Sequence, residues 1–209
     1  MIENAPGIYN APSVYNQGGG GGGEPQPDKN LYQTAIGLKL RSTGGTDLSG
    51  TNFLVKEDDK IDAKVYFFSS GVYGTLNLFH TNGRLCWLQS NGPTSLRVYG
   101  FGSSEFLTKN NPDYFDVFCQ GKAFKINGTN KNIGSVVTGS FSIDDFFSTS
   151  NSEIVGSIFF ELRIMDSSDV EKFHFIPCKR LQDSKIGILE LYTDTFLQVP
   201  QDWELVGIS

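Results

Sequence analysis

Short segments of alternating polarity recur from residue 31 to the end of the chain and constrain its fold more than any other feature. IDAKVYFF (61–68) alternates apolar and polar residues at the period of a half-buried strand. In SIFFELRIM (157–165) the same period predicts two faces: Ile158, Phe160, Leu162 and Ile164 inward, and Glu161 and Arg163 outward. Period two therefore predicts strands, not amphipathic helices.

Turn signals separate these segments. Three Asn-Gly pairs (82–83, 91–92 and 127–128) tolerate positive φ, and the first predicts a hairpin between TLNLFHT and RLCWLQS. Only SIDDFFS (142–148), with Ser142 as an N-cap, has the form of a short helical turn. About ten short strands with such joints predict an all-β fold, an antiparallel β-sandwich, over residues 31–209.

Composition and charge exclude several classes of protein. The chain has 209 residues, a net charge of −6 and a pI of about 4.9, so nucleic acid is not an expected partner. No apolar run reaches the roughly 18 residues of a membrane span, and the N-terminus lacks the basic and apolar regions of a signal peptide. We therefore expect neither a membrane partner nor Sec export.

The cysteines and histidines do not form a ligand pattern. Cys86, Cys119 and Cys178 are odd in number and widely spaced, which argues against a disulfide framework and a structural zinc site. His80 and His174 lie in apolar strand-like runs and are predicted to be strand residues. In FHFIPCKR (173–180) both faces of the strand carry apolar residues, so Cys178 is expected to be buried. No metal or cofactor is predicted.

The first 30 residues differ in composition from the rest. NAPGIY (4–9) is repeated at once as NAPSVY (10–15), and Gly18–Gly23 and EPQPD (24–28) follow as a flexible and then a stiffer spacer. Proline favours extended geometry, so the repeat predicts a docking peptide. Its anchoring residues are predicted to be Pro6, Ile8, Tyr9, Pro12, Val14 and Tyr15. Residues 1–30 are therefore predicted to be an extended anchor and linker, with a disordered leader as the alternative.

Catalytic patterns are not found in the sequence. A glycoside hydrolase needs two facing carboxylates, whereas SIFFELRIM offers only Glu161 and GILELY only Glu190. The pairs Asp58-Asp59 and Asp144-Asp145 fit turns or caps. Glu57, Asp58 and Asp59 together could supply oxygen ligands to calcium, but a solvated acidic turn is the preferred interpretation. No enzyme activity and no catalytic residue is predicted.

Sugar binding is a further hypothesis. Lectins stack aromatic rings on the faces of sugars, and this chain has aromatic residues near Asn- and Gly-rich loops. A sandwich core also needs large aromatic residues, so each ring has a structural interpretation as well. The candidate glycan-binding residues are Trp87, Tyr99, Tyr73 and Trp203.

Two segments carry a resemblance to a known family. LRSTGGTDLSGTNFLVKEDDKIDAKVYF (40–67) resembles the opening of the concanavalin A-like, or LamG-like, jelly-roll domains of tailed-phage and prophage structural proteins. FHFIPCKRLQDSKIGILELYTDTFL (173–197) is similar to their closing segment. The matching residues there are Phe175, Ile176, Pro177, Cys178, Lys179, Arg180, Asp183, Ile186, Gly187 and Phe196. The C-terminus, QVPQDWELVGIS (198–209), departs from the Gly-rich final strand of that family.

The resemblance implies a phage virion structural protein, assembled in the host cytoplasm and located on the virion. A head fibre or capsid decoration is the first expectation, with adhesion to host or mucosal glycans, and a tail or baseplate attachment fibre is the second. A lectin module is the alternative from another class, with a glycan hydrolase third. Expected partners are capsid or tail proteins, bound through residues 1–17. The chain is also expected to form a homo-oligomer, because several copies that dock together gain avidity, and a trimer is preferred to a dimer.

Overall fold

The chain forms seventeen β-strands in a computed structural model, which describes residues 25–48, 50–70, 73–80, 86–91, 95–100, 103–108, 113–121, 123–132 and 138–208. The strands are β1 (Tyr32–Lys39), β2 (Leu54–Lys56), β3 (Lys60–Phe67), β4 (Tyr73–His80), β5 (Cys86–Asn91), β6 (Ser95–Gly100), β7 (Ser103–Thr108), β8 (Asp113–Gln120), β9 (Ala123–Ile126), β10 (Thr129–Asn132), β11 (Ser140–Ser142), β12 (Asp145–Ser148), β13 (Ile158–Met165), β14 (Glu171–Arg180), β15 (Ile186–Glu190), β16 (Thr195–Gln198) and β17 (Glu204–Ile208). One 3-10 turn, Ser152–Ile154, is capped by Asn151.

The strands form two large antiparallel sheets that pack as a sandwich. The larger has ten strands in the order β10-β9-β8-β3-β13-β1-β14-β15-β16, with β17 paired to β1. The second has five strands in the order β12-β4-β5-β6-β7, and β2 and β11 form a small separate pair. The predicted all-β sandwich is confirmed, and its sheets are consistent with a jelly roll. β4 and β5 pair as antiparallel neighbours, as the Asn-Gly signal between them predicts.

One edge of β14 is shared by two strands. Phe175 pairs with both β13 and β15, and Cys178 pairs with both β1 and β15, so β13 and β1 lie in turn along the same edge of β14. Past that edge β1 and β13 pair with each other, with Leu38 opposite Phe159. The result is a three-strand fork in the middle of the ten-stranded sheet.

Aromatic side chains fill the space between the two large sheets. The ring of Phe146, on β12, lies 4.8 Å from that of Phe175 on β14 and 5.5 Å from that of Phe159 on β13. Phe53, which precedes β2, packs edge-on against Phe173 and Phe175 at 5.2 Å. The abundance of phenylalanine in the sequence is therefore explained by a core built largely of aromatic contacts.

A second, smaller apolar cluster lies on the other face of the ten-stranded sheet. Ile176, Cys178 and Leu189 are buried there together with Tyr32 and the partly buried Phe196. Every residue from 174 to 178 is buried, so both faces of β14 are covered and the predicted burial of Cys178 is confirmed. Burial raises the pKa of this thiol to about 12, which makes it inert.

Two local predictions are wrong. SIDDFFS is not helical, because Asp145–Ser148 pairs with β4 as strand β12. In β13 a β-bulge between Phe159 and Glu161 shifts the register, so Phe159 is buried and Phe160 turns outward, against the predicted alternation. Among the described residues there is no helix with the length and apolar character that crossing a bilayer requires.

Candidate functional site

The outward side of β3, β8 and β13 carries aromatic and charged side chains in close rows. β3 alternates strictly between buried and partly exposed residues, and β8 does the same next to it. The members of this polar-aromatic face are Asp62, Lys64, Tyr66, Tyr114, Asp116, Phe118, Phe160, Glu161 and Arg163. The period-two pattern that builds the core from the opposite side therefore also gathers these groups on one surface.

Pairing between strands fixes which groups are neighbours. Lys64 lies opposite Asp116 on β8 and opposite Glu161 on β13. Asp62 lies opposite Phe118 on one side and Arg163 on the other. Acidic and basic groups thus alternate across the three strands, and opposite charges on directly paired residues stabilise a sheet.

Tyr114 is the most exposed aromatic residue of the face. Its side chain is 38% exposed, and its ring lies 5.8 Å from that of Phe160, while Tyr66 is its cross-strand partner. Burial of the hydroxyl end and the neighbouring Asp116 raise the pKa of Tyr114 to about 12. The phenol therefore keeps its proton at neutral pH.

Asp62 on β3 and Asp116 on β8 are diagonal neighbours whose carboxyl groups interact on the face that also carries Tyr114. Burial first, and then Asp116, raises the pKa of Asp62 from 3.8 to about 6, and Lys64 opposes this shift. Two neighbouring carboxylates repel each other when both are ionised, so Asp62 keeps its proton in mildly acidic solution.

This pair predicts an unusual dependence of stability on pH. Between pH 4 and 6 the folded chain binds the proton of Asp62 more tightly than the unfolded chain, so the contribution of Asp62 to the free energy of unfolding is largest below pH 4 and falls as the pH rises towards 6. Asp62→Asn should therefore stabilise the protein at pH 7 by about 1–2 kcal/mol, measured by urea unfolding, and change little at pH 4.

The matched control is Asp116→Asn, which removes the other member of the pair. It should give a smaller gain at pH 7, because it removes the repulsion but leaves Asp62 buried, which is the larger cause of the shift. The double variant should gain less than the sum of the two, because either substitution alone removes the repulsion. A gain from Asp62→Asn that is equal at pH 4 and pH 7 would contradict this account.

Glu161 is a buried member of the face and lies in a network of charges. Its Oε1 accepts a hydrogen bond from Nε of Arg163 at 2.5 Å, and its Oε2 lies 3.6 Å from Nζ of Lys64. Arg163 also reaches Glu171 at 3.6 Å. Burial, with Arg163 and Lys64 nearby, lowers the pKa of His174 to about 3. The imidazole is therefore neutral, and its 3.9 Å approach to Glu161 is not an ion pair.

Glu190, the other acid singled out in the sequence, is fully buried at the end of β15. Its carboxylate accepts hydrogen bonds from the backbone N–H groups of His174, Tyr192 and Thr193 and from the Thr193 hydroxyl. Glu190 therefore closes the turn between β15 and β16. Asp59 has a similar role in the turn before β3, where it accepts from the Lys56 N–H and from Lys172.

Of the four residues predicted for glycan binding, the structure describes the side chain of Trp203. Trp203 is only 3% exposed: its ring packs 5.9 Å from that of Phe147, and its indole N–H donates to Ser42. The prediction that Trp203 stacks on a sugar is wrong, because core side chains cover the ring. Trp87 lies opposite Tyr99 in the register of β5 and β6, and Tyr73 begins β4. The side chains of these three residues lie outside the described part of the structure.

The predicted docking residues also lie outside the described residues: Pro6, Ile8, Tyr9, Pro12, Val14 and Tyr15. Within the described part of the chain, no group of three or more His, Cys, Asp or Glu residues is arranged to hold a metal ion. The members of the polar-aromatic face were missed as a site in the sequence, although YFDVFCQ places Tyr114, Asp116 and Phe118 at period two and so on one face.

Comparison of the chain with protein-family models, with curated proteins and with solved structures gives no match. The likeness to phage jelly-roll domains thus rests on the sequence motifs alone.

Proposed function

We propose that the chain is a non-enzymatic structural protein of a phage virion, most simply a head fibre or capsid decoration. Residues 1–17 fasten it to the particle, and the β-sandwich is displayed to adhere to host or mucosal glycans. The alternative is that the chain is a tail or baseplate attachment fibre, with the same anchor and the same displayed domain. Several copies of the chain assemble together, and a trimer is preferred to a dimer.

The observation that carries the anchoring role is the tandem repeat in residues 4–15. Two copies of Asn-Ala-Pro-x-[Ile/Val]-Tyr stand ahead of six glycines, and the described sandwich begins its first strand at Tyr32. A repeated extended motif on a flexible spacer has the form of a peptide that docks on a larger assembly. The motifs at 40–67 and 173–197 direct the proposal to a phage particle.

The polar-aromatic face supports the adhesive role. A sugar ring presents an apolar face and a rim of hydroxyls, and this surface places the exposed residue Tyr114 near the carboxyl group of Asp116 and the ammonium group of Lys64. Sites of this kind combine an apolar contact with a few polar groups that fix orientation. This face also favours the second candidate function, a lectin module that needs no particle.

The positions of the two candidate acids favour binding over hydrolysis. Glu161 is buried against Arg163 and Lys64, and the Glu190 carboxylate is occupied by four donors within its own turn and the neighbouring strand. A glycoside hydrolase needs one carboxyl group to protonate the leaving oxygen and a second to attack or activate water. Neither acid is placed to reach a substrate in that way.

One experiment separates the two halves of the proposal. Particles are assembled in cells that supply the full chain, a chain without residues 1–17, or Tyr114→Ala, and are then purified and applied to immobilised glycans. We expect the deletion to be absent from particles, and Tyr114→Ala to be incorporated normally but to retain glycans about tenfold more weakly, as the loss of one aromatic contact predicts.

Tyr192→Ala is the matched control, because Tyr192 is 44% exposed but lies in the turn between β15 and β16. Its particles should bind glycans as the full chain does. Normal incorporation of the deleted chain would reject the anchor, and full adhesion by Tyr114→Ala would reject the face. A chain that binds glycans in solution and never enters particles would favour the lectin module.

A further inference from the structure

A cleft of about 710 Å³ lies where the N-terminal arm joins the sandwich. One wall is the segment before and within the start of β1, which contributes Gln26, Pro27, Gln33 and Thr34, and Leu181 after β14 forms another part of the lining. The volume falls within the roughly 300–1,000 Å³ of ligand pockets in proteins. Amide and hydroxyl groups therefore line the cleft together with the apolar surfaces of Pro27 and Leu181.

The walls are fixed by backbone hydrogen bonds. The carbonyl of Asp28 accepts from the N–H groups of Leu31 and Tyr32 at 2.9 and 2.8 Å, which forms a turn. The N–H of Leu181 donates to the carbonyl of Leu31 at 2.8 Å and joins the two parts of the lining. Tyr32 is buried, with its ring stacked 6.2 Å from Phe196. The cleft is thus a formed feature of the sandwich.

We propose that this cleft binds one copy of the Asn-Ala-Pro-x-[Ile/Val]-Tyr repeat of the same chain. The inference rests on the proposed function in one respect, that the repeat is a docking peptide. The cleft then shelters the anchor until a particle protein competes for it.

The chemistry of the repeat matches the lining of the cleft. Residues 4–16 carry no charged side chain, and Lys29 is the charged residue among those that line the cleft. The β-branched residue and the Tyr ring of the bound copy cover Leu181 and Pro27, the apolar residues of the lining. An uncharged segment loses little solvation on entering such a site, whereas a charged one would need a partner.

The length of the arm allows this contact. Tyr15 precedes Gln26 by eleven residues, so the connecting chain spans at most about 36 Å, and the six glycines let it reverse direction. A flexible tether of this length holds the repeat at a local concentration on the order of millimolar. A weak contact is therefore enough to keep one copy in the cleft.

The test uses the full chain with the photocrosslinker benzoylphenylalanine in place of Tyr15 or, separately, of Tyr9. After irradiation we expect crosslinks within one chain, at the mass of a single copy, to peptides that contain residues 26–34 or Leu181. Leu181→Arg should lower the crosslink yield about tenfold, the effect of losing roughly one buried apolar contact.

Leu54→Arg is the matched control, since Leu54 is 45% exposed on β2 and Leu181 is 42% exposed. It should leave the yield unchanged, and equal thermal midpoints show that the variants are folded. Crosslinks that join two chains, crosslinks outside the cleft, or an unchanged yield in Leu181→Arg would each overturn the proposal. Particle incorporation is scored separately, so a repeat that docks on particles but never crosslinks to the cleft rejects this inference alone.

Discussion

Glu190→Ala is expected to lower the free energy of unfolding by about 3–4 kcal/mol, measured by urea unfolding at pH 7. The carboxylate accepts at 2.9 Å from the His174 N–H, at 2.8 Å from the Thr193 N–H and at 2.7 Å from the Thr193 hydroxyl, and the Tyr192 N–H also donates to it. Alanine removes the common acceptor of all these donors. Each buried N–H left without a partner costs about 1–3 kcal/mol, less where water can enter.

Two variants separate this role from a general effect of losing an acid. Glu204→Ala removes an acid that is paired with Arg41 at the surface and should change stability by less than about 1 kcal/mol. Glu190→Gln keeps the shape and one carbonyl oxygen, so its loss should fall between the two. A loss in Glu190→Ala no larger than that in Glu204→Ala would show that the turn after β15 is satisfied in some other way.

The sequence predicts the strands well because the period of two is a local signal. IDAKVYFF, SIFFELRIM, TLNLFHT, RLCWLQS and FHFIPCKR are predicted to be strands, and each overlaps one. The fork of β1, β13 and β14 has no such signal, because the pairings of β1 with β13 and with β14 join residues more than a hundred positions apart. The bulge at Phe160 is hidden for a related reason: an extra residue in one strand is defined only against its partner.

The candidate site is less predictable than the fold, because the sequence does not say which aromatic ring faces inward. Trp203 stands near polar residues in QVPQDWELVGIS and was a candidate for sugar stacking, yet Phe147 and Ser42 enclose it from distant parts of the chain. Tyr114 lies in a run as apolar as the core strands, and only the pairing of β8 with β3 shows that its side faces outward. Pairing partners decide this, and they are not local information.

Gly187→Ala is expected to lower the free energy of unfolding by about 3 kcal/mol, measured by urea unfolding. Gly187 pairs with Cys178 on one side and with β16 on the other. A Cβ added there would lie 2.3 Å from the backbone carbonyl oxygen of Leu197 and 2.6 Å from the ring of Phe196. A ring can rotate away, but a strand carbonyl cannot move without breaking its own pairing. β16 should therefore separate from β15 and exchange its amide hydrogens faster.

Gly128→Ala distinguishes this clash from the ordinary cost of replacing a glycine. Gly128 adopts φ +74° in the turn between β9 and β10, and an added Cβ there meets no atom within 4 Å. Its replacement should cost about 1–2 kcal/mol from the backbone conformation alone and should leave the exchange of β16 unchanged. If Gly128→Ala were the more damaging of the two, the close approach of β16 would not be what requires glycine at position 187. The packing of β15 against β16 would then not explain the pair Ile186-Gly187 in the closing motif.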